Sequence, residues 1–310
     1  KVSATIKAEP IQYKPNRNHP KPKVQPAKKL FFNDLINDIL YQELLVYFMG
    51  LLITGVIGGL IAGLFGVGGG IVIVPILFWI FTSLSFPNEI LMHMAIGSSL
   101  ATIIPTSISS ARAHYHRGSI EIDIIKKWAP GIFLGAIIGG LSGNYFSVNE
   151  LKYLFASIAF FVALNMFFKE HLRLGNCLPK SRLLNIVISS LIGFVSSLMG
   201  VGAGTIGVPT LVALSVPIHK AIGTAAALGL FIAVPATLGL AFSGFNVPNR
   251  PPMSIGYVNL IAFFIMFPLT VFFAPIGVKF AHRINQRLLK IIFGIFLIIT
   301  SVKMLSSLIF

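Results

Sequence analysis

Glycine clusters inside long apolar runs constrain a chain more than any other feature here, and this sequence has two of them. Gly66-Val67-Gly68-Gly69-Gly70-Ile71-Val72-Ile73-Val74-Pro75 returns as Gly200-Val201-Gly202-Ala203-Gly204-Thr205-Ile206-Gly207-Val208-Pro209, identical at six of ten positions and offset by 134 residues. Glycine weakens a helix interior and admits backbone conformations closed to other residues. In hydrocarbon, an interrupted helix must have its freed backbone groups satisfied by the rest of the protein. Two breaks at equivalent places in two halves are the sequence pattern of a transporter whose site lies at the bilayer midplane.

The setting of the breaks supports a membrane. The chain has 310 residues, of which 55% are hydrophobic and 11% charged, against about 25% charged in a soluble domain. All nine acids (Glu9, Asp34, Asp38, Glu43, Glu89, Glu121, Asp123, Glu150 and Glu170) fall outside the apolar runs. The formal net charge of +15 does not indicate nucleic acid, because eight of the 24 Lys and Arg lie in residues 1–29 and most others in loops. Basic loops beside apolar spans are the positive-inside signature. The single cysteine, Cys177, excludes a disulfide framework and a cysteine metal cluster. Residues 1–29, rich in Lys and Pro, read as a disordered tail without the apolar region of a signal peptide. Residues 30–43 read as an amphipathic helix on the membrane surface.

The apolar segments fall at 44–63, 70–83, 91–111, 128–143, 151–168, 184–199, 204–216, 221–242, 255–276 and 288–308. A span needs about 20 residues, so 70–83, 184–199 and 204–216 are expected to be half-helices meeting at the breaks. The duplication extends beyond the glycines. His93-Met94-Ala95-Ile96-Gly97 matches His219-Lys220-Ala221-Ile222-Gly223 at four of five positions, Pro105 answers Pro235, Gly139 answers Gly277, and Lys152 answers Lys290. The expected organisation is therefore two homologous transmembrane halves, 44–168 and 184–310, joined by a linker at 169–183. Their basic loops have changed places: Arg112, Arg117, Lys126 and Lys127 sit in 112–127, and Lys279, Arg283, Arg287 and Lys290 in 277–290, whereas the counterpart loops 144–152 and 243–254 carry only Lys152 and Arg250. Under the positive-inside rule the halves are inverted repeats. The fold class is all-α and polytopic, each half being a glycine-broken hairpin plus three spans.

The glycine break followed by proline, then His-x-Ala-x-Gly-[Ser/Thr], resembles the TauE/SafE sulfite exporter family over about 44–308. The resemblance rests on Gly66-Val67-Gly68-Gly69-Gly70 with Pro75, and on His93-Met94-Ala95-Ile96-Gly97-Ser98-Ser99-Leu100. The second half carries it in Gly200-Val201-Gly202-Ala203-Gly204 with Pro209, and in His219-Lys220-Ala221-Ile222-Gly223-Thr224. It implies a permease of the cytoplasmic membrane for sulfite, a sulfonate or a related small sulfur-containing anion. The halves are not chemically equal, since Thr224 stands for Ser98 and Ala203 for Gly69.

A small oxyanion needs positive potential and hydrogen-bond donors. With almost no Lys or Arg in the apolar segments, Lys303 being the clearest exception, backbone amides must supply them. Half-helices starting after the breaks direct free N–H groups and a partial positive charge toward the midplane. The expected substrate-binding residues are Gly66, Gly68, Gly69 and Gly70 with Ser98 and Ser99, and Gly200, Gly202 and Gly204 with Thr205 and Thr224. His93 and His219 are either proton-coupling groups or helix-start residues at the interface. Helix packing is the competing explanation for glycines, and it is the expected role of Gly55-x-x-x-Gly59, Gly59-x-x-x-Gly63 and Gly135-x-x-x-Gly139. The Gly66-x-Gly68 stretch lacks the third glycine and the later acid of a dinucleotide site. No Walker motif, metal cluster, cofactor site or catalytic dyad can be assembled, so an enzyme is not expected. The expected partners are the small anion and the bilayer, not nucleic acid, with a homodimer admitted as the assembly. A passive anion channel using the same site is the alternative to a secondary transporter.

Overall fold

The structure, a computed structural model, describes the backbone of residues 27–167, 178–179, 181–281 and 286–306, and side chains from Leu44 onward except for 165–167 and scattered positions in 286–296. The tail up to residue 26, Cys177 and most of the linker lie outside the described residues. Helix α1 is Ala27–Phe65. Its part up to Glu43 belongs to a separate N-terminal unit, helical as expected for 30–43, and the bundle begins at Leu44. The remaining helices are α2 (Gly70–Ser83), α3 (Leu91–Tyr115), α4 (Ile122–Ser142), α5 (Val148–Phe167), α6 (Arg182–Met199), α7 (Gly204–Ala213), α8 (Ile218–Ser243), α9 (Leu260–Ala281) and α10 (Gln286–Ser306). Before α9 a two-residue hairpin pairs β1 (Ser254–Ile255) with β2 (Val258–Asn259), in place of the first helical turn expected at 255.

Among the described residues six helices are long and apolar enough to cross a membrane: Leu44–Phe65, α3, α4, α6, α8 and α9. This is a multi-pass membrane protein. One expectation is corrected. The segment 184–199, expected to be a half-helix, is an 18-residue helix of spanning length and apolarity, because Arg182 and Leu183 extend it and Ser181 caps it by accepting the Leu184 N–H. Like Leu44–Phe65 it is a long arm leading into a glycine break, and the short arms that follow the breaks are α2 and α7.

The arms fold as hairpins. A Cβ on Gly50 would meet Ile80, and one on Gly58 would meet Ile73. Position thus advances along α1 as it retreats along α2, and α2 returns toward the side from which α1 came. The glycine seams then pack each long arm against a helix of the other half. Gly55, Gly59 and Gly63 face Met266, Thr270 and Ala274 on α9, and Gly131, Gly135 and Gly139 face Ile186, Ser190 and Phe194 on α6. Both pairs run parallel at close range, as small-residue seams permit. Hydrogen bonds fix the register of α4 on α6 and of α3 on α9. The Trp128 indole donates to Asn185 Oδ1 at 3.1 Å, and Thr106 Oγ1 donates to Thr270 Oγ1 at 2.6 Å.

Helices α3 and α8 cross the middle in opposite directions. Gly97 lies against Tyr257, and Tyr257 against Gly244 just after α8; Gly229 lies against Ser107; Gly223, near the start of α8, lies against Ser119, just after α3. Helices α3 and α8 are therefore antiparallel. The loops sort accordingly. Arg117 donates to the Val278 carbonyl and Lys220 pairs with Glu121 at one end, while the Tyr257 hydroxyl donates to Asn144 Oδ1 at 2.7 Å at the other. Burial pushes the Tyr257 phenol above its ordinary range, so it remains a donor there.

Candidate functional site at the crossing of two helix breaks

The first break is built by left-handed glycines. After Phe65, Gly66, Gly68 and Gly69 take φ of 66°, 69° and 82°, a region costly for residues with a Cβ. The Gly69 carbonyl then accepts from Val72 and Ile73 N–H, both at 3.0 Å, and starts α2. The second break needs one such residue. Gly200, at φ 71°, closes α6 with a Schellman motif: Val201 N–H donates to Ser196 O at 3.0 Å and Gly200 N–H to Ser197 O at 3.2 Å. Ala203, the counterpart of Gly69, sits at φ −62° as the cap of α7, and this right-handed backbone is why alanine is accommodated there.

The two breaks meet. Gly202 N–H donates to Val67 O at 3.1 Å. A Cβ on Gly202 would stand 2.6 Å from Val67 O, and those on Gly204 and Gly70 would fall within 3.0 Å of the carbonyl oxygens of Gly66 and Gly200 respectively. Ser99 Oγ donates to Gly200 O at 2.8 Å. Gly68 lies against Ile103, at the midpoint of α3, and Gly229, halfway along α8, lies near the Ala203 amide nitrogen. The crossing is thus at mid-depth of both central helices. Gly70, Gly200, Gly202 and Gly204 have a packing role here: their missing side chains let the breaks and central helices approach. Gly66 faces the Ile222 carbonyl and Gly69 faces Gly58 on its own hairpin.

The expected hydroxyls do not all converge. Ser99 lies at the crossing. Ser98 Oγ accepts from Asn259 N–H at 2.9 Å, and Thr224 Oγ1 accepts from Glu121 N–H at 2.9 Å, each serving the end of a central helix. Thr205 is different: in the first turn of α7, it is 2% exposed and its hydroxyl has no hydrogen-bond partner. Ser107, which no motif singled out, shares this state at 1% exposure. Its Oγ lies 2.8 Å from the place a Gly229 Cβ would occupy, and the Ala203 amide nitrogen lies 3.9 Å from the same point. A small gap left by glycine is therefore bordered by an unpaired hydroxyl and the N-terminus of α7.

The histidines stand at opposite ends. His93 Nε2 lies 3.1 Å from Gly143 O and 3.0 Å from Phe146 O. Both are acceptors, so Nε2 carries the proton and Nδ1 is the unpartnered nitrogen. The ring stacks on Tyr257 with centroids 4.8 Å apart. His219 occupies the first turn of α8. Both are helix-start residues, away from the crossing. Among the described residues no group of three His, Cys, Asp or Glu is placed to hold a metal.

Spanning helices, paired hairpins broken at mid-depth and acids confined to the ends of the bundle define a membrane transporter. The sequence profile of the sulfite exporter TauE/SafE family matches residues 51–304. The chain belongs to the TauE/SafE sulfite exporter family. It is 32% identical over 256 residues to a "Probable membrane transporter protein" of Haemophilus influenzae, covering 82% of this chain and 96% of that one. It is 24% identical over 281 residues to the "Probable membrane transporter protein YunE" of Bacillus subtilis, covering 85% and 99%. A probable membrane transporter protein of Methanocaldococcus jannaschii is 27% identical over 259 residues, covering 80% and 92%. No solved structure matches.

Proposed function

We propose that this protein is a secondary transporter of a small sulfur-containing anion, sulfite or an organosulfonate, held where the two helix breaks cross. The observation that carries the reading is the start of α7, where first-turn amides without intrahelical acceptors adjoin the unpaired, buried hydroxyls of Ser107 and Thr205. Buried donors without partners are costly, and an oxyanion supplies the acceptors they lack. The helix N-terminus adds positive potential in a low-dielectric setting. The acids of the bundle, Glu89, Glu121, Asp123 and Glu150, lie in loops or first helical turns and leave the anion unopposed. Among the described residues no side-chain acid or base lies at the crossing, so recognition there falls to amides and hydroxyls.

The antiparallel α3 and α8 support inverted halves that rock about this crossing. A carrier is favoured over a passive channel by the packing: opposing backbones are close enough that a single Cβ would collide with them. Two surface cavities, of about 830 Å³ and about 580 Å³, are lined by no break glycine. Proteoliposomes preloaded with sulfite test the reading. The expected result is transient accumulation of external labelled sulfite above equilibrium, saturable and competed by sulfonates. Absence of saturable flux for sulfite, thiosulfate and sulfonates overturns the substrate class. Flux that only dissipates a gradient and carries steady current replaces the carrier with a channel.

A further inference from the structure

The geometry points to a second anion site in the 830 Å³ cavity at the end of the bundle opposite the basic loops, built around Lys152 and suited to a small oxyanion or carboxylate. This cavity opens between α2, the start of α3 and the start of α5, and Lys152 lines it. Lys152 is 8% exposed, and its Nζ lies 4.7 Å from the centroid of the Phe78 ring, which lines the same cavity. Among the described residues the only ion pair is Lys220 with Glu121, so the Lys152 ammonium faces an aromatic ring and the cavity with no carboxylate in ion-pair reach. A cation–π contact offsets part of its desolvation, yet buried charges are ordinarily paired.

The position of Lys152 sharpens the inference. It is the fifth residue of α5, just past the first turn that Val148 opens. Lys152 is therefore the cation that faces the cavity from this helix. The nearest acid in sequence, Glu150, does not line the cavity: its carboxylate caps α5, accepting from Ser147 N–H at 2.6 Å and from Ser147 Oγ at 2.9 Å. Glu89 also lines the cavity, as an exposed side chain that makes no ion pair with Lys152. The side-chain amides of Asn144 and Asn149 on the cavity wall supply neutral donors. Cation and amides together form a receptor for a small anion, separate from the crossing. The site does not depend on the sulfur-anion reading, because its recognition is of charge and size.

Acetate and sulfite are the probes, titrated against the purified full chain in detergent with melting temperature as the readout. Lys152→Gln is expected to weaken the stabilisation by acetate about tenfold in apparent affinity, while Lys152→Arg keeps it within about twofold. Asn149→Asp places a negative charge on the exposed wall of the cavity without disturbing packed groups, and is expected to weaken acetate about threefold or more; it decides the matter if Lys152→Gln does not fold. Folded Lys152→Gln and Asn149→Asp proteins that bind both anions like the wild type overturn the site. Acetate stabilisation that Lys152→Gln removes, in a protein that transports no sulfur anion, leaves this site standing and sinks the transport reading. Sulfite counterflow in a protein whose anion stabilisation ignores both substitutions does the reverse.

Discussion

Gly204→Ala is the smallest change that probes the crossing. The added methyl would fall within 3.0 Å of the Gly66 carbonyl and stand 2.6 Å from Val67 Cα, all backbone of the opposite hairpin. No rotamer relieves this, so the two breaks must separate and stretch the Gly202–Val67 hydrogen bond, 3.1 Å in the native contact. Overpacking of this kind costs about 1–3 kcal/mol, and a weakened buried hydrogen bond adds about 1 kcal/mol. The better helix propensity of alanine returns at most ~1 kcal/mol, leaving a net loss of roughly 1–3 kcal/mol. Gly207→Ala, one turn along the same helix, is the control: its Cβ would meet only Ala203 Cβ at 3.9 Å, so it should stabilise by up to ~1 kcal/mol. Reversible unfolding of both proteins in mixed micelles measures the difference. Equal stabilities for Gly204→Ala and Gly207→Ala would refute the contact between the breaks.

Ser107→Ala and Thr205→Val should leave the unliganded protein as stable as the wild type, since each removes an unpaired hydroxyl, yet weaken sulfite binding about tenfold or more; calorimetric titration checks both halves of that statement. His93→Gln should lose about 1–2 kcal/mol through the bonds from Nε2 to the Gly143 and Phe146 carbonyls, while sulfite affinity stays within about tenfold in both His93→Gln and His219→Gln. Loss of binding in either folded histidine variant places that residue in the site. In a Cys177→Ser background, Tyr115→Cys and Lys279→Cys should react with an impermeant reagent from one side, and Tyr145→Cys and Ile255→Cys from the other. Labelling of positions 115 and 279 from opposite sides contradicts the inverted arrangement of basic loops.

The elements were largely legible because membrane helices announce themselves locally. The break-to-helix boundary at Gly70 and the end of α2 at Ser83 coincide with the expected segment, since glycine on one side and the change to polar loop on the other are read along the chain. The start of α4 was not. Asp123, Lys126 and Lys127 mask six residues that are helical from Ile122, because charges in a first turn at an interface cost little. The site was legible only in part. That Gly66 and Gly204 lie at breaks follows from the sequence, but that the carbonyl of one fills the place of the other's side chain is a fact of tertiary packing. Ser107 carries no motif, and its importance rests on what it fails to touch. Its one sequence clue is position: it follows Pro105 by two residues, as Thr237 follows Pro235, and the Thr237 hydroxyl is likewise buried without a partner.

The bond from Gly202 to Val67 also has a consequence for biogenesis. Its donor and acceptor are separated by helices α2 to α6 and the linker, so the first half emerges from synthesis well before the group that completes its broken helix exists. Until residue 202 arrives, the Val67 carbonyl is an unpaired acceptor at a depth where water does not compensate it. The early intermediate therefore carries a defect that only the second half repairs. A polypeptide ending in the linker should insert yet remain a target for quality-control proteolysis, and co-expression of the second half as a separate chain should rescue it.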